Sequence, residues 1–274
     1  MDQLAPLLRQ ITLSAQSFFS GDLCQLVDFD EPDRPGHIHI LKSGQVTMTV
    51  RRNPPQVINR PSVLFFPRPC PHTLVPVDAS CELLCAYIDL GIKVRSPLAM
   101  ALPEVLVLPF DDMNPVKPTL ELLFQEAFDD AFGRQAALDR LIEYFLIQML
   151  RHVVVSGQLQ GGIFAALADV RLAHAVNAMH ERPAHPWTLD ELADVAGMSR
   201  ARFAVNFREA VGITPLDYLT DWRMSIAQNL LKLGRPIKSV AAAVGYQSQA
   251  ALARVFAKRV GHAPTDWLKQ LETQ

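Results

Sequence analysis

The C-terminal part of this chain carries one 21-residue pattern twice, with its copies 49 positions apart. From Ser199 it reads SRARFAVNFREAVGITPLDYL and from Ser248 it reads SQAALARVFAKRVGHAPTDWL; nine of the 21 positions are identical, with no gap. A repeat of this period marks a duplicated supersecondary unit, so both copies have to adopt one local structure.

Each copy predicts a short helix, a tight turn and a second helix. In the first, Thr188-Leu-Asp-Glu191 has the spacing of a capping box. Leu189, Leu192, Ala193, Val195 and Ala196 then make an apolar stripe, Gly197 ends the helix and Ser199 caps the next. In the second, Val240, Ala241, Ala243 and Val244 form the stripe, Gly245 ends it and Ser248 is the cap. A short helix, a Gly-containing turn and a second helix form the helix-turn-helix pattern. Pro215 and Pro264, each three residues past a Gly, are placed to open further helices.

The second helix of each copy has a predicted inside. Phe203 and Phe207 lie four apart, as do Leu252 and Phe256, so each pair shares one face. Arg200, Ala201, Ala204 and Val205 then point outward from the first copy, and Gln249, Ala250, Ala253 and Arg254 from the second. Small residues with Arg and Gln suit a major groove, where Ala and Val meet thymine methyls, Arg bonds guanine and Gln bonds adenine. Arg202, Arg208, Lys258 and Arg259 are placed for phosphates, which set register without reading sequence. Ser199, Gln247 and Ser248 at the helix starts complete the expected DNA-contacting set.

Residues 169–274 resemble the DNA-binding domain of the AraC/XylS family of bacterial transcription regulators. The matching positions are Ile237, Ala241, Gly245-Tyr246, Ser248, Leu252, Arg254, Phe256, Lys258, Gly261, Pro264 and Trp267. Departures are Leu252 where Phe is frequent, Ala257 ahead of Lys258, and Trp267 where Tyr is usual. The resemblance implies two helix-turn-helix units about a long connecting helix from Pro215 to about Leu233, with double-stranded DNA and RNA polymerase as partners. Two recognition helices would then enter successive major-groove segments roughly 34 Å apart.

Charge agrees with this division. The net charge is −2. Residues 169–274 hold 13 Lys/Arg against 10 Asp/Glu, whereas residues 1–168 hold 13 against 18. A basic segment beside an acidic one suits nucleic acid bound by the first alone. The N-terminus lacks the pattern of a secretory signal, and no apolar run of about 18 residues marks a membrane span. Four cysteines in 274 residues suggest reduced thiols, and a cytoplasmic protein is expected.

Residues 18–90 read as short strands punctuated by Pro and Gly, including 37–41, 45–50, 62–66 and 81–88. That density suggests a barrel or jelly roll. The segment from Gly36 to about Asp89 resembles the cupin-type N-terminal domain of a branch of the same family, on His39, Gly44, Leu64-Phe-Phe-Pro67, Pro71-His72, Cys85-Ala-Tyr and Leu102-Pro103. Helical spacing follows in Leu120, Leu123, Phe124, Ala127, Phe128 and Ala131, and then over 135–155. The second helix is apolar over a broad arc, which either a homodimer or packing onto the barrel would bury. The segment 156–162, SGQLQGG, is flexible by composition. The expected fold is α+β multidomain: a cupin-like β-barrel sensor at 1–115, a helical dimerisation or linker segment at 116–162, and an all-α double helix-turn-helix domain at 163–274.

Two clusters invite a further reading. His37 and His39 share a strand face and with His72 could form a three-imidazole metal site. The Glu expected after the pair is absent, however, with Lys42 and Ser43 in its place, so hydrogen-bonded structural histidines are the expectation, with no metal or cofactor. Among Cys24, Cys70, Cys81 and Cys85, the pair Cys81 and Cys85 is too far apart along a strand for a disulfide, about 13 Å by strand rise. Cys24 and Cys85 are the candidate redox-sensing pair implied by the branch resemblance, and buried packing is the other reading. No catalytic motif stands out, and Asp111-Asp112 and Asp129-Asp130 suit turns and helix ends. The expected function is a sequence-specific DNA-binding transcriptional regulator, not an enzyme, whose N-terminal domain responds to an unknown effector through thiols or a small molecule. A metal-dependent cupin enzyme is the alternative from another class.

Overall fold

The computed structural model describes residues 13–29, 36–77, 81–90, 101–157 and 161–272. The N-terminal segment and residues 158–160 of the expected linker lie outside them. The chain divides into two compact units, one of Leu13–Leu90 with Leu102–Ser156 and one containing Gly157–Gln274.

In the first unit, strands β1 (Ser14–Asp22), β8 (Glu82–Asp89), β3 (Gly36–Ser43), β6 (Ser62–Phe66) and β9 (Leu106–Pro109) form a five-stranded sheet in that order. Strands β2 (Val27–Phe29), β7 (His72–Pro76), β4 (Val46–Val50) and β5 (Gln56–Ile58) form a four-stranded sheet. All these pairings are antiparallel. Strand period two explains the packing. Leu41, Leu64, Phe66, Leu83 and Cys85 of the larger sheet meet Val46, Met48, Val50, Ile58 and Leu74 of the smaller in one core. The sheets stay separate, so of the expected barrel or jelly roll the barrel is not closed, and the strands form an open two-sheet sandwich. Edge strands β2 and β5 have three residues each, too short to stitch the sheets together.

Helices α1 (Lys117–Phe128) and α2 (Arg134–Val155) complete this unit. The apolar arc of α2, including Leu138, Ile142, Phe145, Leu146, Met149, Leu150, Val153 and Val154, is buried within the chain itself. Its polar side tends the outer edge of β1. The Ser17 N–H donates to Asp139 (2.8 Å), and Gln135 Nε2 donates to the Ser17 carbonyl (2.8 Å). An open strand edge is thereby satisfied by side chains rather than by another strand.

The histidines bridge the two sheets. His39 on β3 and His72 on β7 bring their Nε2 atoms to 2.8 Å, and His72 Nδ1 lies 2.7 Å from the Cys70 carbonyl. A carbonyl only accepts, so His72 Nδ1 donates; the neutral ring's Nε2 then accepts from His39 Nε2–H. Phe66 stacks on the His72 ring at 3.8 Å, with Phe29 at 4.7 Å. Burial in this aromatic setting brings the His72 pKa down to about 4 and holds that of His39 well below its usual value, with their mutual repulsion adding to the effect at His39.

The second unit is helical: α3 (Gly162–Ala168), α4 (Val170–Glu181), α5 (Leu189–Val195), α6 (Arg200–Val211), α7 (Pro215–Lys232), α8 (Ile237–Ala243), α9 (Gln249–Val260) and α10 (Pro264–Glu272). His180 on α4 is fully buried, 2.5 Å from the Tyr218 hydroxyl and with its ring tilted against Trp222 at 4.2 Å, and burial lowers its pKa to about 3.

Both units therefore bury neutral histidines. Unfolded histidine takes up a proton near pH 6.5, whereas these sites resist protonation until about pH 4 at His72 and about 3 at His180. Their contribution is complete above pH 6.5 and is lost as pH falls toward the folded values. Denaturant unfolding of the full chain should show stability falling between pH 6.5 and 4; a rise on acidification would contradict the assignment.

Candidate nucleic-acid interface

The two repeats fold alike for local reasons. Thr188 accepts from the Glu191 N–H (3.2 Å) while the Glu191 carboxylate accepts from the Thr188 N–H (2.8 Å), which closes the capping box. Ser199 accepts from the Arg202 N–H and Ser248 from the Ala251 N–H, so both recognition helices, α6 and α9, start at the serines read from the sequence. Gly197 and Gly245 hold left-handed φ values of 60° and 83° at the equivalent turns. Pro215 opens α7 and Pro264 opens α10.

Phe203 and Phe207 are buried under α6, and Leu252 and Phe256 under α9. The Phe207 ring meets Tyr218 of α7, and the Phe256 ring meets Trp267 of α10. With those faces inward, Ser199, Arg200, Ala201, Arg202, Val205 and Arg208 are exposed on the first copy and Ala204 is half-buried. On the second copy Gln247, Ser248, Gln249, Ala250, Arg254 and Lys258 are exposed and Ala253 is half-buried.

The copies differ in chemistry. At equivalent positions Val205 faces Arg254, and Glu209 faces Lys258. Arg200 pairs with Asp190 across the first turn at 3.3 Å, an exposed pair that a phosphate or base can readily displace. Arg259, expected at a phosphate, ion-pairs in the chain itself with Asp217 and, at 3.4 Å, with Asp221, both on α7. The Thr214 hydroxyl, followed by that pairing, holds the Asp217 carboxyl below its usual range.

The other candidate groups lie in the sandwich. The three histidines do come together, but His39 and His72 spend their facing nitrogens on each other and His72 spends Nδ1 on Cys70. Among the described residues no group of three or more His, Cys, Asp or Glu is arranged to hold a metal ion. None of the four cysteines is in a disulfide; Cys24 is exposed, whereas Cys70, Cys81 and Cys85 are buried. Burial pushes the Cys85 thiol pKa far up, and the neighbouring Cys81 adds to it.

Comparison with known proteins agrees with this geometry. The cupin family model matches residues 2–155, and a helix-turn-helix domain model matches 192–270. An HTH-type transcriptional regulator of Haemophilus influenzae is 28% identical over 86% of this chain and 87% of its own length. The RCS-specific HTH-type transcriptional activator RclR of Escherichia coli is 28% identical over 85% of this chain and 84% of its own length. An AraC-like transcription regulator of Streptomyces lividans is 33% identical over 65% of this chain and 60% of its own length. The chain belongs to the AraC-like transcription regulators with a cupin N-terminal domain.

For an AraC-like regulator, sequence reasoning located the two repeated helices but not the intrachain partners of two arginines. Arg259 and Arg223 are both basic residues on helices, and nothing local distinguishes them from phosphate contacts. Their partners lie 42 and 40 residues away, respectively. Among the described residues no helix is long and apolar enough to cross a membrane.

The buried rings carry the recognition helices. Phe256→Ala should cost about 3–5 kcal/mol, and Ser248→Ala about 1 kcal/mol through the lost cap. Denaturant titration of the full chain checks both; equal, small losses would contradict the packing described.

Proposed function

We propose that this regulator binds double-stranded DNA with α6 and α9 in neighbouring major-groove segments, and that α9 supplies most of the base discrimination. The observation that carries this is the contrast at one repeat position, where an exposed Arg254 stands opposite an exposed Val205. Arginine reads guanine through two hydrogen bonds, whereas valine offers only methyl contact. Lys258 and Arg208 serve phosphates. RNA polymerase as a further partner rests on the family alone.

Arg254→Ala should lose roughly tenfold or more affinity on the selected site and little on random duplex, since a bidentate arginine contributes about 1–3 kcal/mol of discrimination. Val205→Ala should change affinity only about two- to threefold. Anisotropy titrations on both duplexes decide this, and an equal loss on both for Arg254→Ala would sink the base-reading role.

The N-terminal unit is the proposed sensor. A thiol signal would start at Cys24, because it alone of the four is exposed and the thiolate is the reactive form. Cys85 would join only after the sandwich opens. In native protein, iodoacetamide should label Cys24 within minutes while the other three react only on unfolding. Native labelling of Cys85 by mass spectrometry would overturn this order. A homodimer, if formed through α2, would use its outward strip, where Tyr144 is 53% exposed.

A further inference from the structure

The loop between α4 and α5 is built as a rigid turn. The His185 N–H donates to the Arg182 carbonyl (3.1 Å), and the Trp187 N–H donates to that of His185 (2.8 Å). Trp187 Nε1 also donates to the Arg182 carbonyl (3.1 Å), and the Arg182 guanidinium lies 4.6 Å over the Trp187 ring. This loop ends at the Thr188 cap, so its position sets where α5, and with it the first recognition helix, begins.

Two contacts from the other half of the domain grip it. Arg223, midway along α7, donates from Nε to the Pro183 carbonyl and from Nη2 to the His185 carbonyl, each at 2.7 Å. A guanidinium fork suits two acceptors held at fixed separation, as a lysine would not. The guanidinium also lies 5.8 Å from the Tyr246 ring, in the turn of the second unit. Next to Tyr246, Gly245 abuts the same loop: a Cβ there would lie 2.6 Å from the Ala184 carbonyl oxygen and 2.9 Å from its Cα. Glycine is thus required twice at this position, once for its φ of 83° and once for the approach.

We propose that Arg223, with the Ala184–Gly245 contact, is a clamp that sets the separation of the two recognition helices, and hence the spacing between the DNA segments this regulator accepts. Without it α7, which packs against both units, remains to join them, and the turn ahead of α9 is freer to shift relative to the cap ahead of α5. One base pair moves a groove segment by about 3.4 Å and about 35° around the axis, so a rigid pair of helices should discriminate spacing sharply.

The inference rests on the proposed two-helix DNA reading, and one experiment separates the two. Full-length protein is used to select duplexes from a random library. The best duplex is then remade with one base pair added or removed between its two segments. Native protein should bind each altered duplex about tenfold more weakly. Arg223→Met should reduce that penalty to about threefold or less, while binding to a duplex keeping one segment alone stays within about twofold of native. Arg223→Lys, which keeps the charge and much of the bulk but not the fork, should give an intermediate penalty and carries the test if Arg223→Met does not fold. A native-sized spacing penalty in the folded variants would overturn the clamp. Selection of a single short segment would overturn it too while leaving DNA binding intact, and selection of no sequence at all would remove the DNA reading itself.

Discussion

Helix α7 has to serve two hydrophobic cores at once, and the DNA-binding unit depends on that. Its buried residues include Tyr218, Leu219, Trp222, Met224, Ile226, Ala227 and Leu231, spread around most of the helix. Tyr218 closes the core under α6 through Phe207, and α7 also packs against α8, α9 and α10. A helix buried on nearly every side cannot rotate to suit one unit without disturbing the other. Its charged residues are spent the same way: Asp217 and Asp221 take Arg259 from α9, and Arg223 takes the loop ahead of α5. Hydrophobic burial holds the two units against one helix, and directional polar bonds then fix their angle about it.

The sandwich solves a different problem, which is how to hold polar rings in a core. Each buried imidazole nitrogen needs either a partner or a low proton affinity. The His39–His72–Cys70 chain supplies partners across the two sheets, and stacked Phe66 and Phe29 exclude water from it. The bond between the rings needs a neutral His72, because protonating its Nε2 would set one N–H against the His39 N–H in a dry site. The histidines thus tie the sheets together where no strand does.

What was legible in the sequence was local. The capping box at Thr188, the serine caps, the turn glycines and the four-residue spacing of buried rings each lie within a few positions, and the structure follows them. Strands β6 and β3 were visible through composition. Strand β1 begins at Ser14, ahead of the expected strand region, because its polar sequence is stabilised by α2 from more than 110 residues away. Strand β9 is four residues ending in proline, which reads as a loop until β6 pairs with it. The sheet order and the open sandwich follow from pairings of distant strands that no local period encodes.

The same locality explains why the two recognition helices can diverge. Their fold is secured by the identical positions of the repeat, namely the serine cap, the inward Phe, the Gly and the Pro. The outward positions carry no share of that stability, so Val205 and Arg254 can differ without cost to either unit. Once the spacing of the helices is fixed through α7, chemistry at an outward position of one copy alters which bases are read without altering where the other copy lands. Duplication of the unit therefore separates the two tasks: the shared residues place both helices, and the unshared ones divide the reading unequally between them.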